Sequence, residues 1–161
     1  MGESDETNNF NYLPINIAAI NLDLTMVNYY LSASSVGQGA SLTANCYILN
    51  QGNSSVTNSN VGFYLSNDSV WDAGDVYLDY QPGGTLNANS YSSRSKTMTI
   101  PGSTATGNYY ILYFADYSNV ISENNETNNV ANLPVSVVAS VLDLLIMSPS
   151  VYPSSMIAGN N

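Results

Sequence analysis

The sequence predicts an all-β protein in which seven short antiparallel strands form a two-sheet sandwich. Apolar and polar residues alternate with a period of two along most of the chain, and no stretch shows the helical period. Asn, Ser, Thr, Tyr and Val are abundant whereas Glu, Lys and Arg are scarce, a composition that favours strands and turns. Apolar residues make up 44% of the 161 positions, which is enough to fill a core. These three observations predict the β-sandwich.

The predicted strands are bounded by clusters of Gly, Asn, Ser and Pro. In chain order, and named A to G, they lie at 22–30, 40–50, 60–66, 75–80, 90–100, 107–115 and 130–139. Strand B places Leu42, Ala44, Cys46 and Ile48 on one side, which is expected to face the core. Strand F is apolar on both faces at its centre, as expected for a strand inside a sheet. Because Cys46 is the only cysteine and lies on the core side, it is predicted to be buried and unreactive.

A repeat of 120 residues (123 − 3) divides the chain. Residues 3–39 and 123–159 are identical at 14 of 37 positions. A unit of this length can bury its own core, so it is expected to fold independently and not as a solenoid repeat. The predicted domains are a C-terminal stub of a preceding repeat at 1–20, a complete sandwich at 22–140, and an N-terminal stub of the following repeat at 141–161.

The first stub competes with strand G for one place in the sandwich. Residues 13–20 resemble a strand, and 13–19 correspond to 133–139 of strand G. We expect the local strand to occupy the place because its connection to strand F is short. The stub is then expected to be mobile or paired with a neighbouring molecule, which predicts weak self-association through the stub strands.

The charge balance excludes several classes of partner. Two basic residues against twelve acidic ones give a net charge of −10 and a pI near 4.1. Such a surface repels phosphate backbones and anionic lipid, so no nucleic acid and no membrane contact by this segment are expected. The acids must be hydrated or neutralised by cations, and the low Lys content suits an extracellular or cell-surface location.

Short motifs in a characteristic order carry a resemblance to a known family. They are Leu22-Asp23-Leu24, Gly39, Asn50-Gln51-Gly52, Phe63-Tyr64-Leu65-Ser66, Asp72-Ala73-Gly74-Asp75, Ile100-Pro101, Gly107-Asn108-Tyr109-Tyr110, Ala115-Asp116 and 123–129. In this order and spacing the sequence resembles the cell-adhesion-related domain of bacteria and archaea known as CARDB. The resemblance implies an immunoglobulin-like or fibronectin-like sandwich found in tandem in large surface proteins.

Catalytic machinery is not evident in the sequence. There is no histidine, so neither a Ser-His nor a Cys-His pair can form, and Cys46 lacks an activating base. A glycosidase-type carboxylate pair could come from Asp116, Glu123 and Glu126, but these residues lie in one predicted exposed loop of a small sandwich. The sequence therefore predicts a protein that is not an enzyme.

Two acidic loops are candidate calcium sites. Asp68, Asp72 and Asp75 in the C–D loop could wrap a hard cation, or could simply make the turn through side-chain hydrogen bonds. The F–G loop contributes three further acids, Asp116, Glu123 and Glu126. Thr127, Asn128 and Asn129 of the same loop are expected to hold it rigid by capping main-chain groups.

The two acidic loops are also expected to meet where successive copies join. The C–D loop of one copy should face the F–G loop of the next, with Asp143 near the same joint. Calcium would relieve the repulsion there and stiffen the array. No other cofactor is expected.

Aromatic residues are candidates for a sugar-binding surface, and the two basic residues are candidates for an ion pair. Five aromatic residues, Tyr29, Tyr30, Trp71, Tyr77 and Tyr80, could form a sugar-stacking platform or could serve only for packing. Arg94 and Lys96 lie on one face of strand E, where a local ion pair is expected.

The sequence favours a non-enzymatic extracellular structural or adhesion repeat, a spacer or stalk module whose partners are neighbouring repeats and surface glycans or proteins. The alternative is a carbohydrate-binding module that uses the exposed Tyr and Trp residues.

Overall fold

The computed structural model describes residues 2, 4, 5, 7 and 10–141, and every named element is a β-strand. The strands are β1 (Leu24–Leu31), β2 (Ser35–Gly37), β3 (Ser41–Asn50), β4 (Val61–Ser66), β5 (Val76–Gln81), β6 (Tyr91–Thr99), β7 (Gly107–Ala115) and β8 (Val130–Val138). All seven predicted strands are confirmed to within two residues, and β2 is an additional strand. No helix long and apolar enough to cross a membrane occurs in the described residues.

The strands form two sheets, which confirms the predicted sandwich. One sheet has the order β1-β3-β6, and the other has the order β2-β8-β7-β4-β5. Neighbouring strands are antiparallel except for β2 and β8, which run parallel, so the prediction of purely antiparallel strands is wrong at this one pair. The predicted strand D, which is β5, pairs with β4. This differs from the immunoglobulin constant domain, where strand D joins the sheet of A, B and E.

The core lies between the sheets and is built by residues that alternate along each strand. In β3 every second residue from Leu42 to Asn50 is buried. Tyr113 of β7 is the largest fully buried side chain, and its ring contacts Phe63 of β4 edge to face at a centroid distance of 5.6 Å. Its hydroxyl donates a hydrogen bond of 2.9 Å to the main-chain oxygen of Tyr30, which ties β7 to the opposite sheet.

Cys46 lies in this core, as the alternation of strand B predicted. Its side chain is 2% exposed, and burial raises the pKa of the thiol to about 12. Burial between the sheets disfavours the thiolate, so we expect Cys46 to react slowly in the folded protein.

The basic residues of β6 close one open side of the sandwich. Lys96 forms an ion pair of 2.8 Å with Asp79 of β5, in the other sheet. Arg94 instead donates to the hydroxyl oxygen of Ser59 at 2.9 Å. The predicted ion pair is therefore made by Lys96, while Arg94 binds neutral oxygens.

The chain enters the sandwich at one end and leaves it at the other. β1 begins beside the F–G loop, where Asn124 N donates to Leu22 O at 2.8 Å. β8 ends at the opposite end, where Gln38 N donates to Val138 O at 3.0 Å. The loops that precede β1 and follow β7 thus form one end of the domain.

The place beside β7 is filled by the local strand, β8, as expected, but β8 is not the edge of the sheet because β2 pairs with its other side. Residues 13–20 do not form a strand, contrary to the strand-like pattern, because they have no pairing partner in the described chain. They are exposed, with Ile15 and Ile17 both more than 80% accessible. Residues 142–161 lie outside the described residues, and with them Asp143 and all of the predicted following stub (141–161) except Val141.

Candidate functional site

The F–G loop, residues 116–129, is held by its own acidic and amide side chains. Asp116 is 1% exposed and has a positive φ of 46°, and its Oδ2 accepts a hydrogen bond of 2.7 Å from Ile121 N. Burial, together with the negative charge of Glu126, raises the pKa of Asp116, while the amides of Ile121 and Val120 oppose the rise. Asp116 is therefore a buried support for the loop.

Two glutamates of this loop bind main-chain amides and share one asparagine. Glu123 accepts from the main-chain amide of Leu24, which fixes the start of β1. Glu126 Oε1 accepts from Glu123 N at 2.9 Å, and Asn129 Nδ2 donates to both carboxylates at 3.2 Å. Burial, followed by the charges of Glu126 and Asp116, raises the pKa of Glu123 to about 7.

The neighbouring polar residues hold the loop through other side chains, so the expectation that Thr127, Asn128 and Asn129 cap main-chain groups is wrong. The side chain that accepts from a main-chain amide here is that of Asn125. Asn128 Nδ2 donates to Asp23 Oδ1 at 2.8 Å, which joins the loop to the entering chain. Thr127 donates from both its amide and its hydroxyl to Asn125 Oδ1. The loop is thus fixed to the segment before β1 by side-chain hydrogen bonds.

The acids of the loop between β4 and β5, residues 67–75, close a turn. Asp68 Oδ1 accepts from Val70 N at 2.8 Å, and Asp72 Oδ1 accepts from Gly74 N at 2.6 Å. Asp75 Oδ2 accepts from Asp72 N at 3.0 Å. These are the side-chain hydrogen bonds of the turn interpretation.

The acidic side chains that the structure describes form no cluster suited to a metal ion. No group of three Asp, Glu, Cys or His side chains within the described residues is arranged to hold one. Each of the six predicted ligands accepts at least one main-chain amide hydrogen bond. Calcium binding within one copy stays a prediction, and the expected joint between copies needs a second copy.

A layer of aromatic rings covers the outer face of the five-stranded sheet. Tyr64 of β4 contacts Trp71, Tyr77 and Phe114 at centroid distances of 6.2, 5.4 and 6.4 Å. Leu112, which pairs with Tyr64 across the strands, is fully buried although it lies outside the core between the sheets. The layer therefore shields a small apolar patch on this face.

Tyr117 extends the layer towards β5. Its ring stacks on Tyr77 at 6.0 Å and lies 5.5 Å from Tyr80. It rests directly on Gly62, where an added Cβ would lie 2.6 Å from the Cβ and Cγ atoms of Tyr117. Any larger residue at position 62 would displace this ring.

The predicted aromatic platform is only partly assembled. Trp71, Tyr77 and Tyr80 share the outer face and are 40%, 47% and 38% exposed. Tyr29 instead packs against Tyr113 at 5.6 Å, and Tyr30 is its neighbour in β1, so neither belongs to this face.

Three members of the outer layer were not among the sequence candidates. Tyr64 and Phe114 alternate with core residues in their strands, and this alternation was the available signal. Tyr117 follows a strand end, and no local pattern indicates where its ring lies.

A cleft opens where the 67–75 loop folds back over the sheet towards the F–G loop. It has a volume of about 270 Å³. Its lining consists of Trp71, Phe114, Asp116, Tyr117, Asn119 and Glu126. The fold of the 67–75 loop is held in part by Asn132 Nδ2, which donates to Ser69 O at 3.3 Å. The cleft combines aromatic walls with carboxylate and amide groups.

Comparison with known proteins agrees with this architecture. The CARDB family model matches residues 21–133. A CARDB domain from Pyrococcus furiosus, solved in complex with di-metal ions, is 23% identical and covers 77% of this chain and 100% of its own, with a TM-score of 0.56. A domain from a protein named as a cell-surface protein of Methanosarcina acetivorans is also 23% identical, over 73% of this chain and 93% of its own, with a TM-score of 0.52.

More distant similarity extends to domains within larger enzymes. A β-glucosidase from Listeria innocua is 13% identical over 76% of this chain but only 17% of its own, with a TM-score of 0.50. At this identity the likeness concerns the fold alone. No curated protein matches the chain.

Proposed function

The chain belongs to the CARDB family, and from that premise we propose that its sandwich is a spacer in the exposed part of a cell-surface protein. As a CARDB domain it is a non-enzymatic, surface-related module. The finer proposal is that the domain holds its two neighbouring segments apart along a stalk.

The observation that carries this proposal is the position of the two ends of the sandwich. β1 starts at the end formed by the F–G loop, and β8 finishes at the opposite end beside Gly37. A nine-residue strand such as β8 spans about 30 Å, so each copy would lengthen a chain of domains by at least that much. A domain whose chain ends lay side by side would add little length.

The hydrogen bonds at the entry end support a stiff connection. Asn21 N donates to Asn53 Oδ1 at 2.8 Å, and Asn53 Nδ2 donates to Ala19 O at 2.8 Å. Asn128 and Glu123 hold the next residues, Asp23 and Leu24. The entering segment is therefore fixed to two loops before the first strand begins, which limits bending at this point.

The acids of the cleft support a structural role and not a catalytic one. Asp116 is buried and accepts from Ile121 N, and both carboxylate oxygens of Glu126 already accept hydrogen bonds within the loop. A glycosidase pair needs one free acid and one free base or nucleophile across the scissile bond. The arrangement favours loop support as the role of these residues.

Within this proposal, calcium would bind only at the junction between two successive copies, where it would stiffen the stalk. The middle of the 67–75 loop folds back towards the F–G loop of its own copy, but its two ends, with Asp68 and Asp75, lie beside the ends of β4 and β5 that are far from that loop. Only these two acids would approach the F–G loop of a successive copy. A shared cation would offset their repulsion.

Small-angle scattering on one-copy and two-copy proteins tests the spacer. The two-copy protein repeats residues 22–141, so that Ser140-Val141 leads into Leu22 of the second copy, and its matched control carries a flexible Gly/Ser linker in place of Ser140-Val141. We expect the maximum dimension to grow by about 30 Å or more, with a narrower distance distribution than in the control. Two copies packed side by side, with little growth in length, would contradict the proposal.

A further inference from the structure

We propose that the cleft between the 67–75 loop and the F–G loop binds a neutral oligosaccharide, with Trp71 as the stacking surface and Glu126 and Asn119 as hydrogen-bonding groups. This is a binding activity in addition to the spacer role, and it does not depend on that role. The aromatic residues Tyr117 and Tyr80 would extend the site along the sheet.

The walls of the cleft are preformed. The indole of Trp71 is held edge to face by Phe114 at 5.2 Å and by Tyr64 at 6.2 Å, yet 40% of the residue is exposed. Glu126 is fixed by its hydrogen bonds to Glu123 N and Asn129 Nδ2. A site whose groups are already in place loses little conformational freedom when a ligand binds.

The polar groups at the cleft suit a ligand rich in hydrogen-bond donors. A carboxylate has about four lone-pair positions, and Glu126 uses two of them within the loop. Asn119 is exposed and lines the same cleft, which adds an amide that both donates and accepts. Sugar hydroxyls match this combination, while the apolar C–H face of a pyranose ring matches an exposed indole.

The charges around the cleft exclude an anionic sugar. Asp116 forms the buried floor and Glu126 lies at the rim, so the local potential is negative. Both basic residues of the chain lie on β6 and are bound elsewhere, Lys96 to Asp79 and Arg94 to Ser59. A uronic acid, sialic acid or phosphorylated glycan would meet repulsion without a compensating cation.

Aromatic residues beside the cleft extend its apolar surface beyond the length of one sugar unit. Tyr117 lines the cleft and also lies 5.5 Å from Tyr80, whose side chain is 38% exposed. The cleft volume of about 270 Å³ suits roughly one monosaccharide, and Tyr117 and Tyr80 continue the apolar surface beyond it. We therefore expect a chain of two or more sugar units to bind more tightly than a single unit.

Trp71 is the only tryptophan, so its fluorescence reports directly on the cleft. The full chain is titrated with neutral mono-, di- and tetrasaccharides of glucose, galactose, mannose and N-acetylglucosamine. We expect a saturable change for at least one series, with affinity that rises with chain length. The absence of a saturable change across the whole panel would overturn the proposal.

Variants followed by calorimetry identify the residues responsible. Trp71→Ala should weaken binding by roughly tenfold or more, as truncation of a central aromatic anchor does. The matched control is Tyr91→Ala, which removes an aromatic residue that is 69% exposed on the other sheet and should leave affinity unchanged. Tyr80→Ala should remove the gain shown by the tetrasaccharide and leave the affinity for the monosaccharide unchanged. Equal losses in the Trp71 and Tyr91 variants would refute the assignment.

A charge control separates a sugar from an organic cation. Glu126→Gln keeps oxygen and nitrogen groups for hydroxyls and should reduce sugar affinity only a few-fold, at low and high salt alike. Asp5→Asn is its matched control for net charge, because Asp5 lies outside the cleft. Salt-sensitive binding of tetramethylammonium that displaces the sugar would show an aromatic cation site instead and overturn the proposal.

Discussion

Replacement of Tyr113 by Phe tests how the two sheets are held together. The Tyr113 hydroxyl donates to Tyr30 O at 2.9 Å, and the bond crosses from β7 to β1. It lies beside the irregularity of β1, where the register with β3 shifts between Val27 and Tyr30. The substitution removes this bond and leaves the ring contacts with Phe63 and Tyr29 in place.

We expect Tyr113→Phe to lower the free energy of unfolding by the net contribution of one hydrogen bond. Net contributions of such bonds are about 1 kcal/mol, and the Tyr30 oxygen is left near enough to the surface to bind water. For a domain of this size, a loss of about 1 kcal/mol lowers the melting temperature by about 3–5 °C. Tyr113→Ala, which also removes the ring from a fully buried site, should cost about 3–5 kcal/mol.

Urea and thermal unfolding of the full chain measure these changes. Tyr91→Phe is the matched control, because Tyr91 is 69% exposed and the same hydroxyl is removed without a buried partner. If Tyr113→Phe and Tyr91→Phe unfold at the same temperature, the bond between the sheets contributes nothing. A loss as large as that of Tyr113→Ala would show that the ring itself had moved.

Four further outcomes are expected from the structure. Glu123→Gln should flatten the dependence of folding stability on pH. Burial raises the pKa of Glu123 to about 7 from 4.5, so the folded state holds this proton more tightly than the unfolded state does. The stability of the wild type should therefore fall as pH rises from about 4.5 to about 7. If stability depends on pH in the same way in the variant and in the wild type, Glu123 is not the group responsible. A smaller dependence that remains in the variant is expected from Asp116, whose pKa is also raised. Gly62→Val should destabilise the chain by more than about 1 kcal/mol and shift Tyr117, seen by unfolding and by ring resonances in NMR, whereas Gly84→Val, where a side chain meets open space, should have a smaller effect. Cys46 should react with a thiol reagent only at the rate of unfolding, and rapid labelling of the native protein would show that it is accessible. Millimolar calcium should leave the melting temperature of the single chain nearly unchanged but raise that of the two-copy protein, and equal responses would exclude a cation at the junction.

The strands could be located from the sequence because their signal is local. Alternation along β3 marks Leu42, Ala44, Cys46 and Ile48 as core residues without reference to any other strand. β2 gives almost no such signal, since it has three residues of which only Val36 is buried. Its parallel pairing joins Val36 to Val137, and a contact across a hundred residues leaves no mark on the local pattern.

For the acids of the 67–75 loop, the sequence predicted two alternative roles, turn formation or calcium binding, without a choice between them. Asp68 and Asp72 accept hydrogen bonds from amides two residues later, which is the local turn chemistry of aspartate. The same spacing also suits a calcium loop, and the choice depends on whether enough oxygens converge in space. Glu123 could not be assigned its role from local sequence, because the main-chain amide that it accepts from belongs to Leu24, 99 residues away.

Local patterns in the sequence were enough to predict the class of fold, the positions of seven strands and the face of strand B that meets the core. The three-dimensional structure was needed to show that β5 joins the five-stranded sheet and that Trp71 and Tyr117 line one cleft. It was also needed to show that the predicted cation ligands accept hydrogen bonds from main-chain amides. This division arises because alternation and turn preferences act between neighbours in the chain. Sheet order and clefts depend instead on which distant surfaces bury the most apolar area together.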